Sequence, residues 1–318
     1  MKFILTGGAG FIGSCVLKTL NDLGYTEIIV VDNLTAQKQL NIKDKKYLSY
    51  YDKNDFLNVL DSINGVDCIL HLGACSSTTE TDKNYLWRNN LEYSKSMYNY
   101  AKKVGAQFIY ASSAATYGNG EMGFNDDILP ENLHPLNLYG ESKNEFDKWV
   151  LKAQKPNNQV VGLKFFNVYG PNEYHKTGMY SMVYQGYNQA VKNGKIKLFK
   201  GDNDNLNGEQ KRDFVYVKDV CKVITWFINN SNISGIFNVG TGTANSFNDL
   251  ANGVFKALNI SSEIEYIDMP KNLIGKYQSY TVANITKLKS VGYNEKFYSL
   301  NDGICDYISN YLIKNENY

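Results

Sequence analysis

The stretch "KFILTGGAGFIG", Lys2 to Gly13, constrains the fold of this chain more than any other feature. A short apolar run leads directly into glycines at positions 7, 10 and 13, and an amphipathic pattern then continues to Gly24. Glycines at this spacing between a strand and a helix permit a tight turn, let the backbone approach a pyrophosphate, and let helix and strand pack closely. The sequence therefore predicts a Rossmann-type unit that binds a dinucleotide.

Short apolar, β-branched runs alternate with helical patterns over the rest of the first half. Further strands are predicted at 27–32, 67–74, 107–113 and 159–170. Continuous apolar strands separated by helices indicate a parallel sheet that is covered on both faces. Beyond residue 170 the pattern loosens into helices near 179–193 and 246–258 and a few short strands. We predict an α/β fold, with a doubly wound parallel sheet in a dinucleotide-binding domain over 1–170, to which later segments can return, and a smaller α/β substrate-binding lobe over 171–318.

Composition excludes several classes of function. Of 318 residues, 43% are hydrophobic and 20% charged, and the net charge is +1, so charge indicates neither nucleic acid nor an anionic membrane as a partner. The cysteines are scattered and form no CxxC pair, which predicts neither a metal site nor a disulfide framework. No apolar stretch approaches the about 18 residues of a membrane span, and no signal peptide is indicated. We expect a cytoplasmic protein.

Asp32 ends the second predicted strand, about 20 residues after the glycine motif. A carboxylate there accepts hydrogen bonds from an adenosine ribose, which favours NAD. Lys38 and Lys53 follow, and either could neutralise the 2′-phosphate of NADP or lie on a solvated surface. The choice between NAD and NADP stays open from these residues.

Tyr139 and Lys143 have the Y-x-x-x-K spacing, which places both side chains on one face of a helix. A lysine cation near a phenol lowers the pKa of the phenol toward use as a general base, and the same lysine can hold a nicotinamide ribose. The preceding "YASSAATYG" lies at the carboxyl end of a strand, where open α/β sheets bind ligands. Ser113 can hydrogen-bond a substrate oxygen there, with Ser112 as the alternative because neighbouring strand residues face opposite sides.

These motifs resemble those of the extended short-chain dehydrogenases/reductases that act on nucleotide sugars. The resemblance covers almost the whole chain and is carried by "TGGAGFIGS", "VVDNL", "GACSSTTE", "YASSAATYG", "LYGESK", "FFNVYGPNEYHK", "KRDFVYVKDV", "GIFNVGTG" and "GKYQSYT". "GACSSTTE" and "EYHK" point within it to the 6-epimerases of ADP-glycero-manno-heptose. That implies inversion at C6, from D-glycero to L-glycero, through a 6-keto sugar with bound NADP (or NAD), for the heptose of a lipopolysaccharide core. It also implies a homo-oligomer, pentameric if it follows the family.

The resemblance further implies two proton-transfer groups, one for each epimer: Tyr139 and Lys176. For Lys176 to act as a base, burial or a neighbouring cation must depress its pKa from about 10.4. His175 could be that cation or a simple loop residue. Lys176 could instead bind phosphate or lie in solvent.

Two further sets of residues follow. The predicted cofactor set shares contact with the dinucleotide and comprises Gly7, Gly10, Phe11, Ile12, Gly13, Asp32, Asn33, Lys38, Lys53, Leu72, Gly73, Ala74, Cys75, Ser76, Asn89, Tyr139, Lys143, Val168 and Lys176. The predicted substrate set comprises Ser113, Asn167, Gly178, Phe199, Lys200, Gly201, Asp202, Arg212 and Tyr277. Asn167 is expected to end the sixth strand. Arg212, one of two arginines in the chain, can grip a diphosphate bidentately or form a surface ion pair.

Other functions stay open. A 4-epimerase or a reductase of the same family would leave "EYHK" unexplained, and a 4,6-dehydratase would place acidic residues after the strand that "SSAATYG" follows, where none stands. A non-catalytic dinucleotide sensor would usually lose the Tyr139–Lys143 pair.

Overall fold

Seven parallel strands form the central sheet of the structure, a computed structural model that describes residues 1–153, 158–176, 178–201, 206–270 and 278–318. The strands, numbered along the chain, are β1 (Phe3–Thr6), β2 (Ile28–Asp32), β3 (Ser49–Asp52), β4 (Cys68–His71), β5 (Gln107–Ser113), β6 (Val160–Phe165), β7 (Asn167–Tyr169), β8 (Ile196–Phe199), β9 (Lys211–Arg212), β10 (Phe214–Tyr216), β11 (Gly235–Val239), β12 (Asn245–Ser246) and β13 (Ile264–Ile267). The large sheet has the order β3-β2-β1-β4-β5-β6-β11, and all its neighbours are parallel. This order reverses direction at β1 and β4, as in doubly wound dinucleotide-binding folds.

Helices cover both faces of this sheet. They are α1 (Phe11–Asp22), α2 (Ala36–Ile42), α3 (Lys53–Val59), α4 (Lys83–Leu86), α5 (Tyr93–Val104), α6 (Leu138–Lys152), α7 (Met182–Asn193), α8 (Val217–Asn229), α9 (Phe247–Leu258), α10 (Thr286–Ser290) and α11 (Leu300–Tyr307). A π-helical turn, Trp87–Glu92, joins α4 to α5. Alternate residues of β1 enter opposite cores: Phe3 and Leu5 pack with α1 and α8, whereas Ile4 packs with α5 and α6. Both faces of the sheet are therefore buried, as the apolar strands predict.

The C-terminal half forms three small two-stranded sheets and sends one strand back to the large sheet. The small pairs are β7–β10, β8–β13 and the antiparallel β9–β12. Strand β11 pairs with β6, in register from Gly235 opposite Val161 to Val239 opposite Phe165. The predicted α/β class is confirmed, and the division into two lobes near residue 170 stays a prediction. Among the described residues, no helix is long and apolar enough to cross a membrane.

Two details of the sequence prediction are wrong. Strand β3 was not predicted, because "SYYD" has no aliphatic run and its side chains are only half-buried at the sheet edge. Asn167 does not end the sixth strand. Strand β6 stops at Phe165, and the amide of Asn167 donates to the carbonyl of Asp213 at 3.1 Å, which starts the separate pair β7–β10.

The turn between β1 and α1 depends on backbone contact. Gly7 has φ +69°, and a Cβ on Gly7 would lie 2.7 Å from the Cα of Gly73 in the loop after β4. A Cβ on Gly13 would overlap the carbonyl oxygen of Gly7. Both glycines are therefore needed for the turn after β1 to pack closely. This turn lies at the edge of the sheet where β1 and β4 end, on either side of the point at which the strand order reverses.

We expect Gly13→Ala to lower the free energy of unfolding by roughly 2 kcal/mol or more, because the new methyl group must displace the Gly7 backbone. Urea unfolding would measure the change. Gly186→Ala is the matched control: this helical glycine has its nearest side-chain contact at 3.4 Å, so alanine should be neutral or stabilising. Equal stability of Gly13→Ala and the unmodified chain would contradict the close packing of the turn.

Candidate active site

A pocket of about 80 Å³ lies at the carboxyl ends of β1, β2 and β4. It brings together predicted cofactor residues from separate segments. Its lining residues are Thr6, Gly7, Val31, Asp32, Asn33, Lys38, Lys53, Gly73, Ala74, Asn89 and Tyr93. Its position at the reversal of strand order is the place where sheets of this type bind nucleotides.

Asp32 is the buried centre of this pocket. Its carboxylate accepts hydrogen bonds from the amides of Ala9 at 3.0 Å and Asn33 at 2.8 Å. Lys38 Nζ lies 2.7 Å from the same carboxylate, and Lys53 Nζ donates to the side chain of Asn89 at 2.9 Å. The acidic residue thus stabilises the glycine turn as well as facing the pocket, and two cations stand beside it.

The first turn of α1 fits an anionic group. The helix starts at Phe11 with Gly10 as its N-cap, and no side chain caps it and no acidic residue lies in its first turn. The N–H groups of such an end attract a phosphate. Ile12 is half-buried beside this turn and Gly13 packs under it, so the predicted residues 10–13 lie together.

The segment from Leu72 to Ser76 follows β4 and is held by the π-helical turn. Asn90, which is fully buried there, accepts from the amide of Cys75 at 2.8 Å and donates to its carbonyl at 2.9 Å. The same amide group reaches Ser142 on α6 at 3.0 Å. Asn90 therefore links the predicted cofactor loop to the helix that carries Tyr139, and the adjacent Asn89 faces the nucleotide pocket.

His71 helps to fix the start of that loop through a chain of hydrogen bonds. Ser94 donates to the carbonyl of Asn90 at 2.7 Å, so it accepts from His71 Nε2 at 2.8 Å, and His71 Nδ1 then accepts from Thr6 at 2.7 Å. The Thr6 hydroxyl in turn accepts from the amide of Gly73 at 3.1 Å. Burial, together with the charge of nearby Lys143, lowers the pKa of His71 to about 3, so the ring is neutral.

Ser113, Tyr139 and Lys143 come together at the end of β5 and the start of α6. Asn137 caps α6, and Gly140 packs so closely that a Cβ would lie 2.7 Å from the Ala115 carbonyl. Lys143 Nζ is buried and donates to the carbonyl of Ala111 at 2.9 Å. Ser112 points to the other side and donates to Asp147 at 2.7 Å, so Ser113 is the serine on the Tyr139 side.

The expectation that the pKa of Tyr139 is lowered, because Lys143 lies nearby, is wrong. Burial raises the pKa of Tyr139, and the hydrogen bond with Ser113 offsets this only in part. Burial lowers the pKa of Lys143 to about 8, against the opposing charge of Asp147. The Lys143 amine donates to a backbone carbonyl rather than to the Tyr139 phenol. Desolvation therefore has a larger effect on both pKa values than the charges around them.

Lys176 lies between the glycine turn and a second, larger cavity. Its amine is 4.3 Å from the centre of the Phe11 ring and 3.8 Å from a carboxylate oxygen of Glu173. Burial lowers the pKa of Lys176, and Glu173 opposes that change. His175 was one candidate for a cation that depresses the pKa of Lys176. It does not have this role, because burial lowers the pKa of His175 to about 4 and leaves the ring neutral.

The larger cavity has a volume of about 640 Å³ and carries three of the nine predicted substrate residues, Asn167, Phe199 and Arg212. Asn167, Val168, Lys176, Phe199 and Arg212 line it. Arg212 is 5% exposed, and its guanidinium donates to the Lys211 carbonyl at 2.9 Å and lies 5.7 Å from the Phe247 ring. It is therefore a buried cation at the wall of the cavity. The volume is within the roughly 300–1,000 Å³ typical of small-molecule sites.

The remaining predicted residues lie elsewhere. Lys200 is exposed and pairs with Asp268 at 2.9 Å, and Gly201 donates to Asn207 at 2.9 Å; neither lines the cavity. Gly178 is exposed with φ +85°. Asp202 and Tyr277 lie outside the described residues. Within the part of the chain that the structure describes, no three His, Cys, Asp or Glu side chains are grouped to hold a metal ion.

A model of the NAD dependent epimerase/dehydratase family matches residues 3–240 of this chain. The chain belongs to that family. Among curated proteins, the chain is 45% identical to the ADP-L-glycero-D-manno-heptose-6-epimerase of Fusobacterium nucleatum, with 99% of each chain covered. It is 46% identical to the enzyme of the same name from Brachyspira hyodysenteriae, with 96% of each covered. The predicted resemblance is confirmed, and this epimerase/dehydratase family member is an enzyme that binds a nicotinamide dinucleotide.

Two solved structures of the family have the same backbone similarity to this chain. The ADP-L-glycero-D-manno-heptose-6-epimerase of Helicobacter pylori has a TM-score of 0.83 at 29% identity and covers 97% of this chain and 95% of its own. The UDP-glucose 4-epimerase of Thermotoga maritima has the same TM-score at 26% identity and covers 99% of both. The fold alone therefore does not distinguish the two kinds of epimerase.

Sequence analysis missed several polar residues of the larger cavity. Gln185 and Gln189, one turn apart on α7, line it together with Thr78, Lys197 and Gln210. The i, i+4 spacing of the glutamines just after "EYHK" is a weak signal for a shared face. Thr78 lies inside "GACSSTTE", a motif that was identified without its role at the cavity.

The buried neutral His71 predicts a pH-dependent stability. An unfolded histidine has a pKa of about 6.5, whereas the folded one is about 3, so the unfolded state binds the extra proton as pH falls through this window. Between pH 6.5 and 5 the free energy of unfolding should fall, and His71→Gln should remove up to about 1.4 kcal/mol per pH unit of that slope. Urea unfolding at each pH measures both slopes. They should coincide above pH 7, and an unchanged slope below pH 6.5 would show that His71 is charged in the fold.

Proposed function

We propose that the chain inverts C6 of an ADP-linked glycero-manno-heptose, from the D-glycero to the L-glycero form, through a 6-keto sugar. One observation carries this best: the half-buried Lys176 lies beside Phe11 of the glycine turn and also lines the large cavity. A second proton-transfer group is thus available beside the nucleotide turn, in addition to Tyr139. The product would serve as heptose donor for a lipopolysaccharide core.

A redox inversion needs one group for each face of the sugar. The dinucleotide, when bound, supplies the chemistry of removing hydride and returning it to the opposite face of the ketone. Tyr139 and Lys176 exchange the hydroxyl protons of the two epimers. Burial raises the pKa of Tyr139 and lowers that of Lys176, so it shifts each group toward its neutral form; a neutral amine can take a proton and a neutral phenol can give one.

The supporting residues have distinct roles in this proposal. Ser113 holds the reacting oxygen and Lys143 holds the ribose next to the nicotinamide. Arg212 grips the diphosphate of the nucleotide sugar, since its fork of donors matches phosphate oxygens, while Asn167 and Phe199 contact the rest of the substrate in the same cavity. Homo-oligomer formation and a cytoplasmic location stay predictions.

Proton NMR in D2O tests the reaction. The purified protein is mixed with ADP-D-glycero-D-manno-heptose and no added cofactor. We expect the L-glycero epimer with protium retained at C6, because hydride returns from a resident dinucleotide. Deuterium at C6 would contradict direct hydride return. No conversion, together with turnover of a UDP-hexose, would instead support the 4-epimerase, the activity named for the Thermotoga maritima neighbour.

Tyr139→Phe and Lys176→Met should each lower kcat by roughly 10²–10⁴, the usual contribution of an acid–base group. Lys192→Met is the matched control, because this lysine is exposed on α7 and does not line the cavity. Steady-state rates and retention of the bound dinucleotide would be compared for all three. Full activity of Lys176→Met would exclude the lysine as a base and leave it a binding role.

We further propose NADP as the preferred dinucleotide, because Lys38 and Lys53 both line the nucleotide pocket beside Asp32. Lys38→Ala and Lys53→Ala should weaken NADP binding roughly 10–100-fold, as expected for loss of a charge-assisted hydrogen bond, and change NAD binding much less. Calorimetric titration of dinucleotide-free protein measures both. Lys43→Ala is the control, since it is exposed at the end of α2. Equal losses for NAD and NADP would contradict a 2′-phosphate site.

A further inference from the structure

Glu173 is a fully buried carboxylate that the proposed reaction does not use. It stands three residues before Lys176 in "EYHK". One carboxylate oxygen accepts from the hydroxyl of Ser181 at 2.7 Å and the phenol of Tyr307 at 3.2 Å, and the other accepts from the amide of Ser181 at 2.6 Å. A buried charge of this kind is costly unless it is fully hydrogen-bonded, and here it is.

These bonds close the chain segment that carries Lys176. Ser181 is the N-cap of α7, so the carboxylate ties the beginning of the segment to the helix that follows it. Asn172, at φ +72°, anchors the same segment to α1 through a 2.9 Å hydrogen bond to Ser14. Asn41 of α2 contacts His175 at 3.1 Å. The described part of the segment is therefore fixed from several sides, and Glu173 contributes the charged anchor.

Glu173 also places a negative charge beside the Lys176 amine. The separation of 3.8 Å is within the range where an opposite charge stabilises an ammonium group. Among the described residues, the other groups around the lysine do not supply one: Phe11 presents a ring face, His175 is neutral, and Arg212 and Lys197 line the same cavity as cations. Tyr174 and Tyr307, beside Glu173, have pKa values raised by burial and stay neutral.

We propose that Glu173 is a positioning residue for the reaction, which fixes the Lys176 segment through Ser181 and Tyr307 and provides the counter-charge of the Lys176 amine. The inference rests on the proposed function of Lys176. An amine that both takes and returns a proton in each catalytic cycle must remain able to carry a charge where it is partly shielded from water. Burial alone would favour the neutral amine, and the carboxylate offsets that preference.

The test is the titration of Lys176 in the protein with its bound dinucleotide. Lysine labelled with 13C at Cε gives a resonance that shifts on deprotonation, and Lys176→Met assigns it by its absence. Glu173→Gln keeps the shape of the side chain and an acceptor oxygen but removes the charge. In this variant we expect the titration midpoint of Lys176 to fall by about 1 pH unit or more. The limb of the kcat profile that reports Lys176 should move to lower pH by the same amount, whether the lysine is base or acid.

Two further variants separate charge from structure. Ser181→Ala removes one anchor but keeps the carboxylate, so the midpoint should stay close to that of the unmodified chain while kcat falls. Glu173→Asp keeps the charge and should restore most of the midpoint. An unmoved midpoint in Glu173→Gln, or an equal shift in Ser181→Ala, would overturn the inference. Full activity of Lys176→Met would contradict the proposed function instead, and the titration would still decide whether Glu173 is the counter-charge.

Discussion

The contact between the turns after β1 and β4 is the constraint on which the rest of the structure depends. Gly7 and Gly73 approach so closely that neither has room for a Cβ, and Gly13 packs under Gly7. The contact holds two strand ends together where the sheet order reverses, and it leaves the N-terminus of α1 open between them. The nucleotide pocket, the Thr6–His71 hydrogen bond and the position of Phe11 all follow from this approach.

Buried hydrogen-bond networks connect these turns to the helix that carries Tyr139 and Lys143. Asn90 joins the loop after β4 to α6, and Asp147 joins α6 to Ser112 and to Lys164 of β6 at 3.1 Å. Because each of these groups is hydrogen-bonded, the networks define one arrangement of the helix that carries Tyr139 and Lys143. The amide of Asn90 belongs to a π-helical turn, a departure from regular helix that is frequent at functional sites.

The two proposed proton-transfer groups, Tyr139 and Lys176, occupy different surroundings. Tyr139 lies at the start of a helix beside Ser113, whereas Lys176 lies in a loop that Glu173 closes. The difference matters because a buried phenol and a buried amine respond to desolvation in opposite directions. The same fold serves an ADP-heptose 6-epimerase in Helicobacter pylori and a UDP-glucose 4-epimerase in Thermotoga maritima at equal TM-score. The backbone fold therefore does not by itself distinguish the two activities.

The sequence by itself determined the class of fold and predicted the place of the nucleotide, because glycine spacing and apolar alternation act over short stretches of chain. The same local patterns identified the Tyr139–Lys143 pair on one helical face. They did not reveal β3, where the strand depends on pairing with β2, or the break at Phe165, where β7 pairs instead with β10. Only the tertiary structure decided the direction of the pKa changes and the hydrogen-bond partners of the proposed reacting groups. Burial raises the pKa of Tyr139, where a decrease was expected, and leaves His175 neutral. Glu173 accepts a hydrogen bond from Tyr307, which lies in a helix far along the chain. Desolvation and such long-range hydrogen bonds exist only once distant segments have packed together.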